Sequence, residues 1–541
     1  MRLLLTCLLL AGHHGVLSSS PTKPHIVFFL ADDMSWADPS YNRPKSSPYY
    51  GYSRTPIMDQ LASEGTIVDR MYTHKFCSPS RCAIQSGRAP IHVNVVNAPP
   101  EAYNQADPEG GAQGIPRNMT CVAEKMKEGG YATHFVGKWD TGMATPDRTP
   151  KGRGYDSSLS YFHHANDYWT YTHDSCVNSD NETQMIYDLW QGGDVDGPAK
   201  QLLNVRRGRE VCGLHAQAMD KINDHDASQP LFLFVSWHTV HGPLEPTDAA
   251  LAKFSFLPDS SMQQHNSMVN TIDTYMGNIT SLLKAKGMWD DTLVVFMSDN
   301  GGSLPDGNNF PLKGGKFSNW EGGIRVPSFV SGGFLPDTAP SVTDAAMASW
   351  DWYATFCDLA GVEPTDAKAK AAGLPPVDGV SQWPILSGAT TTPVRTRVEV
   401  GSNARGWDHG RITGNTTVGA IIKQPYKIIV GYGPNDTLSS SVWVSLNMPN
   451  ATNDHGAGNK ALTDTYAPCG RTPETGCLFN VWNDPSEYHN LAASMPDLWT
   501  ELFKELQAVN ETVYSPWRGD ASPKACEAAL EVGGFWVPFE E

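Results

Sequence analysis

Four apolar runs set the fold class of this chain: Ile26–Leu30, Ala132–Val136, Leu231–Val235 and Thr292–Met297. Each is short and rich in bulky or β-forming residues, and none alternates apolar with polar. Such runs suit strands buried on both faces, as in a mostly parallel sheet covered by helices. Helical patterns lie between them. Met268, Ile272, Met276, Ile279 and Leu283 recur at three- and four-residue steps, and Thr120–Glu128 ends on Gly129-Gly130. Strands alternating with helices predict an α/β, doubly wound domain.

The residues just beyond each run are polar and chemically pointed. Leu30 leads into Ala31-Asp32-Asp33, and Val136 into Gly137-Lys138-Trp139-Asp140. Val235 leads into Ser236 through His241, and Met297 into Ser298-Asp299-Asn300. Open parallel sheets bind ligands beyond the carboxyl ends of their strands. One polar strand end is explained by a turn or a helix cap. Four such ends carrying carboxylates, an amide, a lysine and histidines predict an active site. Asp32, Asp33, Asp299 and Asn300 offer only hard oxygen ligands, which suit Ca²⁺ or Mg²⁺ and would not select zinc or copper.

After about residue 410 the pattern changes. Val418–Val430 and Ser441–Leu446 read as antiparallel strands, Leu478–Trp482 as another, and Pro496–Val509 as an amphipathic helix. The expected organisation is a catalytic domain over 21–410 and a C-terminal sheet-plus-helix subdomain over 411–541.

The first residues, 1–20, combine a basic start, an apolar stretch and small residues, which predicts a secretory signal peptide. No later segment approaches the ~20 apolar residues of a membrane span, and the tail shows no anchor signal. Seven Asn-x-Ser/Thr sequons, at Asn118, Asn181, Asn278, Asn415, Asn435, Asn450 and Asn510, agree with a glycosylated chain of the secretory pathway, secreted or lysosomal. A net charge of −18 argues against nucleic acid as the partner. Of ten cysteines, Cys7 leaves with the signal, and the remaining nine cannot all pair within the chain. Cys469 and Cys477 are close enough in sequence to staple one loop.

The strongest local feature is Cys77-Ser78-Pro79-Ser80-Arg81, continuing through Cys82-Ala83-Ile84-Gln85-Ser86-Gly87-Arg88. It resembles the signature of type I sulfatases, whose core is Cys-x-Pro-Ser-Arg. The resemblance, strongest to the arylsulfatase B-like branch, runs nearly end to end through His25–Asp38, Gly129–Gly142, Ser298–Pro327 and Leu478–Ala492. It implies an alkaline-phosphatase-like fold and hydrolysis of sulfate esters, of sulfated carbohydrates or aryl sulfates. It also implies conversion of Cys77 to Cα-formylglycine by the formylglycine-generating enzyme. That would leave eight cysteines, Cys82, Cys121, Cys176, Cys212, Cys357, Cys469, Cys477 and Cys526, able to pair completely. The hydrated aldehyde offers one hydroxyl to take the sulfate and a second whose deprotonation expels it, which a serine could not do.

Carried over residue by residue, the resemblance makes Asp32, Asp33, Asp299 and Asn300 the ligands of one Ca²⁺, with residue 77 also touching the metal. Asp299 would be the base for the attacking hydroxyl. Arg81 would fix the nucleophile, Lys138 and Lys316 would hold sulfate oxygens, and His241 with Lys316 would assist the leaving oxygen. Lys313 is the rival in its segment; position before Trp320-Glu321-Gly322-Gly323 favours Lys316. The cluster Tyr161–Trp169 and the loop Ser303–Asn309 are expected at the pocket mouth.

One position departs from the family, which reads Gly-Lys-Trp-His where this chain has Gly137-Lys138-Trp139-Asp140. That histidine is the family's base for sulfate release. Two readings stand: Asp140 replaces it in a re-tuned enzyme, or turnover is impaired and the chain is a sulfatase-like binding protein. A phosphatase or phosphodiesterase of the same fold is the third alternative, which the cysteine of the signature opposes. If Asp140 serves the release step, Asp140→Asn accumulates a sulfated enzyme detectable by mass spectrometry, whereas unchanged turnover would overturn that role.

Overall fold

The four apolar runs lie side by side in one sheet. The computed structural model describes residues 23–46, 50–177, 182–194, 196–200, 210–303, 307–400, 419–431 and 469–541. The expected signal peptide, the strand Ser441–Leu446 and the sequons Asn181, Asn415, Asn435 and Asn450 fall outside them. In chain order the strands of the sheet are β1 (His25–Ala31), β2 (Thr66–Val68), β3 (Ala132–Lys138), β4 (Ser157–Tyr161), β5 (Trp190–Gly192), β6 (Gly197–Pro198), β7 (Leu231–Ser236), β8 (Thr292–Ser298), β9 (Ser328–Ser331) and β10 (Val342–Thr343). Their spatial order is β6-β5-β4-β3-β7-β1-β8-β9-β2-β10. The central run β4-β3-β7-β1-β8 is parallel throughout, and antiparallel pairs flank it on both sides.

Burial explains the unbroken apolar runs. In β1, Ile26, Phe28 and Leu30 face one core while Val27, Phe29 and Ala31 face another. The helices of seven or more residues among the described residues are, in chain order, α1 (Pro56–Ser63), α2 (Cys77–Ser86), α3 (Val122–Glu128), α4 (Glu210–Asp224), α5 (Ser260–Ala285), α6 (Asp351–Ala360), α7 (Pro496–Asn510) and α8 (Pro523–Glu531). The α3, α6 and α8 helices cover the first face; α1, α4 and α5 cover the second. The stripe Met268, Ile272, Met276, Ile279 and Leu283 of α5 is completely buried against the sheet, as its helical spacing requires. No helix among the described residues is long and apolar enough to cross a membrane.

A second, antiparallel sheet is formed by β11 (Arg397–Glu399), β12 (Gly419–Lys423), β13 (Tyr426–Val430) and β14 (Cys477–Asn480), with α7 packed on it. The expected single strand Val418–Val430 is a hairpin broken at Gln424-Pro425. A boundary at 410 does not follow the packing. The small sheet takes its first strand before it, because β11 pairs with β12. The chain also returns to the large domain near its end, where Ala525, Cys526, Ala529, Trp536 and Val537 join the first core.

Complete pairing of the cysteines is not found. Cys176–Cys526 ties α8 to the large domain, and Cys469–Cys477 closes the predicted loop. Cys82, Cys121 and Cys357 keep free, buried thiols beside the free thiol of Cys77. The side chain of Cys212 lies outside the described set. Cys82 and Cys121 pack with Val93, Ile115 and Met119, and Cys357 packs in the large core. They act as small apolar fillers, and burial pushes each thiol up to about 12. Among the described sequons, Asn118 and Asn278 are exposed and Asn510, at the end of α7, is half-buried.

The two domains are joined by charge as well as by apolar packing. Lys427 of β13 is completely buried, with its ammonium 2.9 Å from Glu321 and 2.7 Å from Glu487. Glu321 also accepts from Tyr72, and its backbone N–H donates to Glu487. Removing one partner of such a buried network costs about 3–5 kcal/mol, because the remaining charges lose their counterion. Lys427→Ala should therefore lower the thermal midpoint and the urea midpoint by that order, measured on the intact chain.

Candidate active site

Strand register assembles this site. Ala31 of β1 pairs with Ser298 of β8, and Leu30 pairs with Ser236 of β7, which in turn pairs with Gly137 of β3. The residues after these pairs leave the sheet together at its carboxyl edge. Asp32 and Asp33, Asp299 and Asn300, Lys138 to Asp140, and His238 to His241 thus meet in one place. Gly137 is needed for this convergence: its φ is 111°, and a Cβ there would lie 1.7 Å from the carbonyl oxygen of Ser236. Asp33 and Asp140 hold left-handed backbone at φ 59° and 49°, which costs a non-glycine residue about 1–2 kcal/mol.

The α2 helix abuts this edge with all ten of its residues buried. Cys77 is its first residue, so the side chain sits at the positive, N–H-bearing end of the helix. Arg81 lies one turn later on the same face. Its guanidinium reaches Asp299 at 2.8 Å and Asp32 at 3.3 Å, and donates to Ser236 Oγ at 2.6 Å and to the Lys138 carbonyl at 3.1 Å. The Cys77 sulfur lies 3.7 Å from Asp32. Lys138 Nζ is 2.8 Å from the other Asp32 oxygen, and Lys316 Nζ is 2.8 Å from Asp33. Lys313 instead stacks its ammonium on Trp320, 3.9 Å from the ring centroid. His241 Nε2 is 3.7 Å from Asp33, and its Nδ1 lies 2.7 Å from the Gly242 carbonyl. A carbonyl can only accept, so Nδ1 carries the proton and Nε2 of a neutral ring faces Asp33 as an acceptor.

The charges are strongly interdependent. Burial opposes ionisation of Asp32, but Lys138 and Arg81 outweigh it and hold the carboxyl well below the usual range. Burial pushes Asp299 up to about 7, helped by Asp32 and only partly opposed by Arg81. Burial and Lys316 lower His241 to about 4. Burial also raises the Cys77 thiol, against the pull of Lys138 and Lys316.

The donor set fits a hard divalent cation. Ligand atoms of Asp32, Cys77 and Asp299 lie within 4.8 Å of one another, as do those of Asp33, Cys77 and His241. Asn300 donates its amide N–H to Asp33 at 2.7 Å, while its own Oδ1 is buried without a hydrogen-bond partner. Three carboxylates and an amide oxygen without a hydrogen-bond partner supply the hard oxygen donors that such an ion takes.

Asp140 is fully buried beside the same floor. Its backbone carbonyl accepts from Ser78 Oγ at 3.0 Å, and one carboxylate oxygen lies 3.9 Å from Lys138 Nζ. The other oxygen accepts from Gln113 Nε2 at 2.8 Å and meets His164 Nδ1 at 2.9 Å. Burial disfavours the anion, but His164 and then Lys138 and Arg81 hold Asp140 below the usual carboxylate range. Sequence reasoning did not find Gln113, the hydrogen bond from Arg81 to Ser236 or the pairing of His164 with Asp140. Above the floor opens a cavity of about 620 Å³, whose lining includes Cys77, Lys316, His164, His241, Ser303 and Gly307.

Residues 24–362, well over half of the chain, match the sequence profile of the sulfatase family. Arylsulfatase J of Mus musculus is 28% identical over 96% of this chain and 81% of its own length. N-acetylgalactosamine-6-sulfatase of Homo sapiens is 29% identical over 68% of this chain and 67% of its own. Among solved structures, Ps i-CgsB in complex with k-i-k-neocarrahexaose has a TM-score of 0.68 at 24% identity, covering 94% of this chain and 97% of that one. The PsFucS1 sulfatase from Pseudoalteromonas sp. has a TM-score of 0.64 at 21% identity, covering 91% and 92%. Both share the alkaline-phosphatase-like fold seen here. On the strength of the family match and these relatives, the chain belongs to the sulfatase family and is a sulfuric ester hydrolase.

Proposed function

We propose that the chain removes sulfate from sulfated carbohydrates, with residue 77 as nucleophile in its formylglycine form. The observation that carries the reading is the placement of Cys77 at the first position of a buried helix, within reach of Asp32 and at the floor of a cavity. The cavity volume lies within the ~300–1,000 Å³ of small-molecule sites, room enough for a sugar unit. A relative that acts on N-acetylgalactosamine 6-sulfate and a structural neighbour with a bound neocarrahexaose support the carbohydrate class.

The chain's own residues divide the work. Arg81 orients residue 77 and balances Asp32 and Asp299. Lys138 and Lys316 supply the positive charge that the three non-bridging oxygens of a sulfate ester require. Asp299, with a carboxylate oxygen within 4.8 Å of the Cys77 sulfur, suits proton transfer from the attacking hydroxyl. Neutral His241 presents an acceptor nitrogen, so Lys316 is the better proton donor to the leaving oxygen and His241 orients the ester side. Asp32, Asp33, Asp299 and Asn300 would hold one Ca²⁺, which when bound would lower the pKa of the nucleophilic hydroxyl and screen the sulfate charge. In its hydrated form, formylglycine at position 77 would supply the two hydroxyls that attack and release require.

The leader sequence, the exposed Asn118 and Asn278 and two disulfides support passage through the oxidising secretory pathway. Conversion of Cys77 requires co-expression with the formylglycine-generating enzyme.

Peptide mass spectrometry over Phe76–Arg81, paired with sulfate release from a panel of sulfated mono- and oligosaccharides, tests the reading. Conversion of residue 77 with release from at least one sugar is expected, and Cys77→Ala should lower release by at least ~10³-fold. Unmodified Cys77 after co-expression, with no release, would favour a binding protein. Lys316→Ala should reduce kcat ~10²–10⁴-fold for sugar sulfates and far less for nitrophenyl sulfate, whose leaving oxygen needs no proton. Ca²⁺ at about 100 times its Kd should stabilise the apo protein by about 2.7 kcal/mol, and Asp33→Asn should abolish that shift.

A further inference from the structure

The family's release histidine is missing from this chain, yet an imidazole stands one hydrogen bond away from the residue that replaced it. Asp140 Oδ1 lies 2.9 Å from His164 Nδ1. A carboxylate only accepts, so Nδ1 carries a proton, and in the neutral ring Nε2 keeps its lone pair. That Nε2 is a buried atom with no hydrogen-bond partner, while the His164 ring lines the same cavity as Cys77. A buried, unpaired ring nitrogen costs stability, and a ring so held by a carboxylate has the arrangement of a general base with its orienting partner.

We propose that Asp140 and His164 together replace the missing histidine, with His164 Nε2 as the base of the sulfate-release step and Asp140 as its positioning residue. The proposal rests on the reading of residue 77 as the nucleophile. In this step the proton on the second oxygen of residue 77 passes to His164 Nε2. The O–H bond breaks, an N–H bond forms, and the freed electron pair closes the C=O bond. The C–O bond to sulfate breaks, sulfate leaves with the electrons of that bond, and the imidazolium returns its proton to water through the cavity.

The pairing answers the difficulty that an aspartate poses alone. Asp140 by itself adds a negative charge near an anionic ester, and the cations around it make its carboxylate a weak base. Paired with His164, the carboxylate is spent on fixing a tautomer, and the proton accepted in turnover forms a neutral ion pair. Gln113 Nε2 holds the same Asp140 oxygen at 2.8 Å and keeps the carboxylate oriented. Among the described residues, ionisable groups near the ring include Lys138 beside Asp140, His163 with its partner Glu101, and His173 and His241, which also line the cavity.

His164→Ala should lower kcat ~10²–10⁴-fold with KM changed less than about threefold. Two additions should restore turnover at least ~10-fold: free imidazole, and a second substitution, Asp140→His, that reinstates the family's residue in the His164→Ala background. A readout independent of turnover uses ¹⁵N-histidine-labelled protein with Cys77 unconverted, His164→Gln identifying the signal. His164 Nε2 should appear as a non-protonated nitrogen at neutral pH, and Asp140→Asn should abolish that fixed tautomer. Wild-type kcat in His164→Ala would overturn the proposal, as would a loss that neither imidazole nor Asp140→His repairs. Sulfate release that persists in Cys77→Ala would instead overturn the underlying reading of residue 77.

Discussion

Asp32, Asp33 and Asp299 are carboxylates packed without solvent at the ends of two adjacent strands, and charge so placed must be matched. Arg81 spans two of them, Lys138 and Lys316 each take one, and the Asn300 amide donates to the third. This need explains why α2 is held with every residue buried: its arginine reaches the carboxylates only if the helix lies against the strand ends. The proposed nucleophile comes with it, because Cys77 precedes Arg81 by one turn. The placement of the reactive residue is therefore a by-product of charge compensation as much as of apolar packing.

Much of this arrangement was legible from residues alone. Short unbroken apolar runs suit strands covered on both faces, and four of them located the parallel centre of the sheet. Their polar exits fixed which edge carries the chemistry, and the Cys-x-Pro-Ser-Arg stretch fixed the nucleophile candidate. β4 was not legible. Its sequence, Ser157-Ser158-Leu159-Ser160-Tyr161, lacks an apolar run, although Ser158 and Ser160 are buried in the sheet. The cluster Tyr161–Trp169 was expected at the pocket mouth, but without β4 nothing set its register against Asp140, and so the pairing with His164 was hidden. The free thiols escaped for a related reason: cysteine counts speak of possible pairs, whereas packing volume decides which cysteines meet.

The domain division illustrates a further limit of composition. The shift in pattern near 410 is real, yet β11 precedes it and α8 lies beyond it on the large core. Lys427, Glu321 and Glu487 form a buried network across the contact. Linear boundaries describe where the pattern of residues changes; they do not describe which residues share a core.

The returning tail also has a bearing on when the pocket comes into being. Cys526 is bonded to Cys176, and the Trp536 ring lies 5.4 Å from that of His163, which lines the cavity. One wall of the site thus leans on residues far along the chain from those that form its floor. During synthesis, the sheet and α2 can be made hundreds of residues before that brace exists. The pocket wall is accordingly complete only once residues 526–536 have been made, long after the strands and helix that carry its floor.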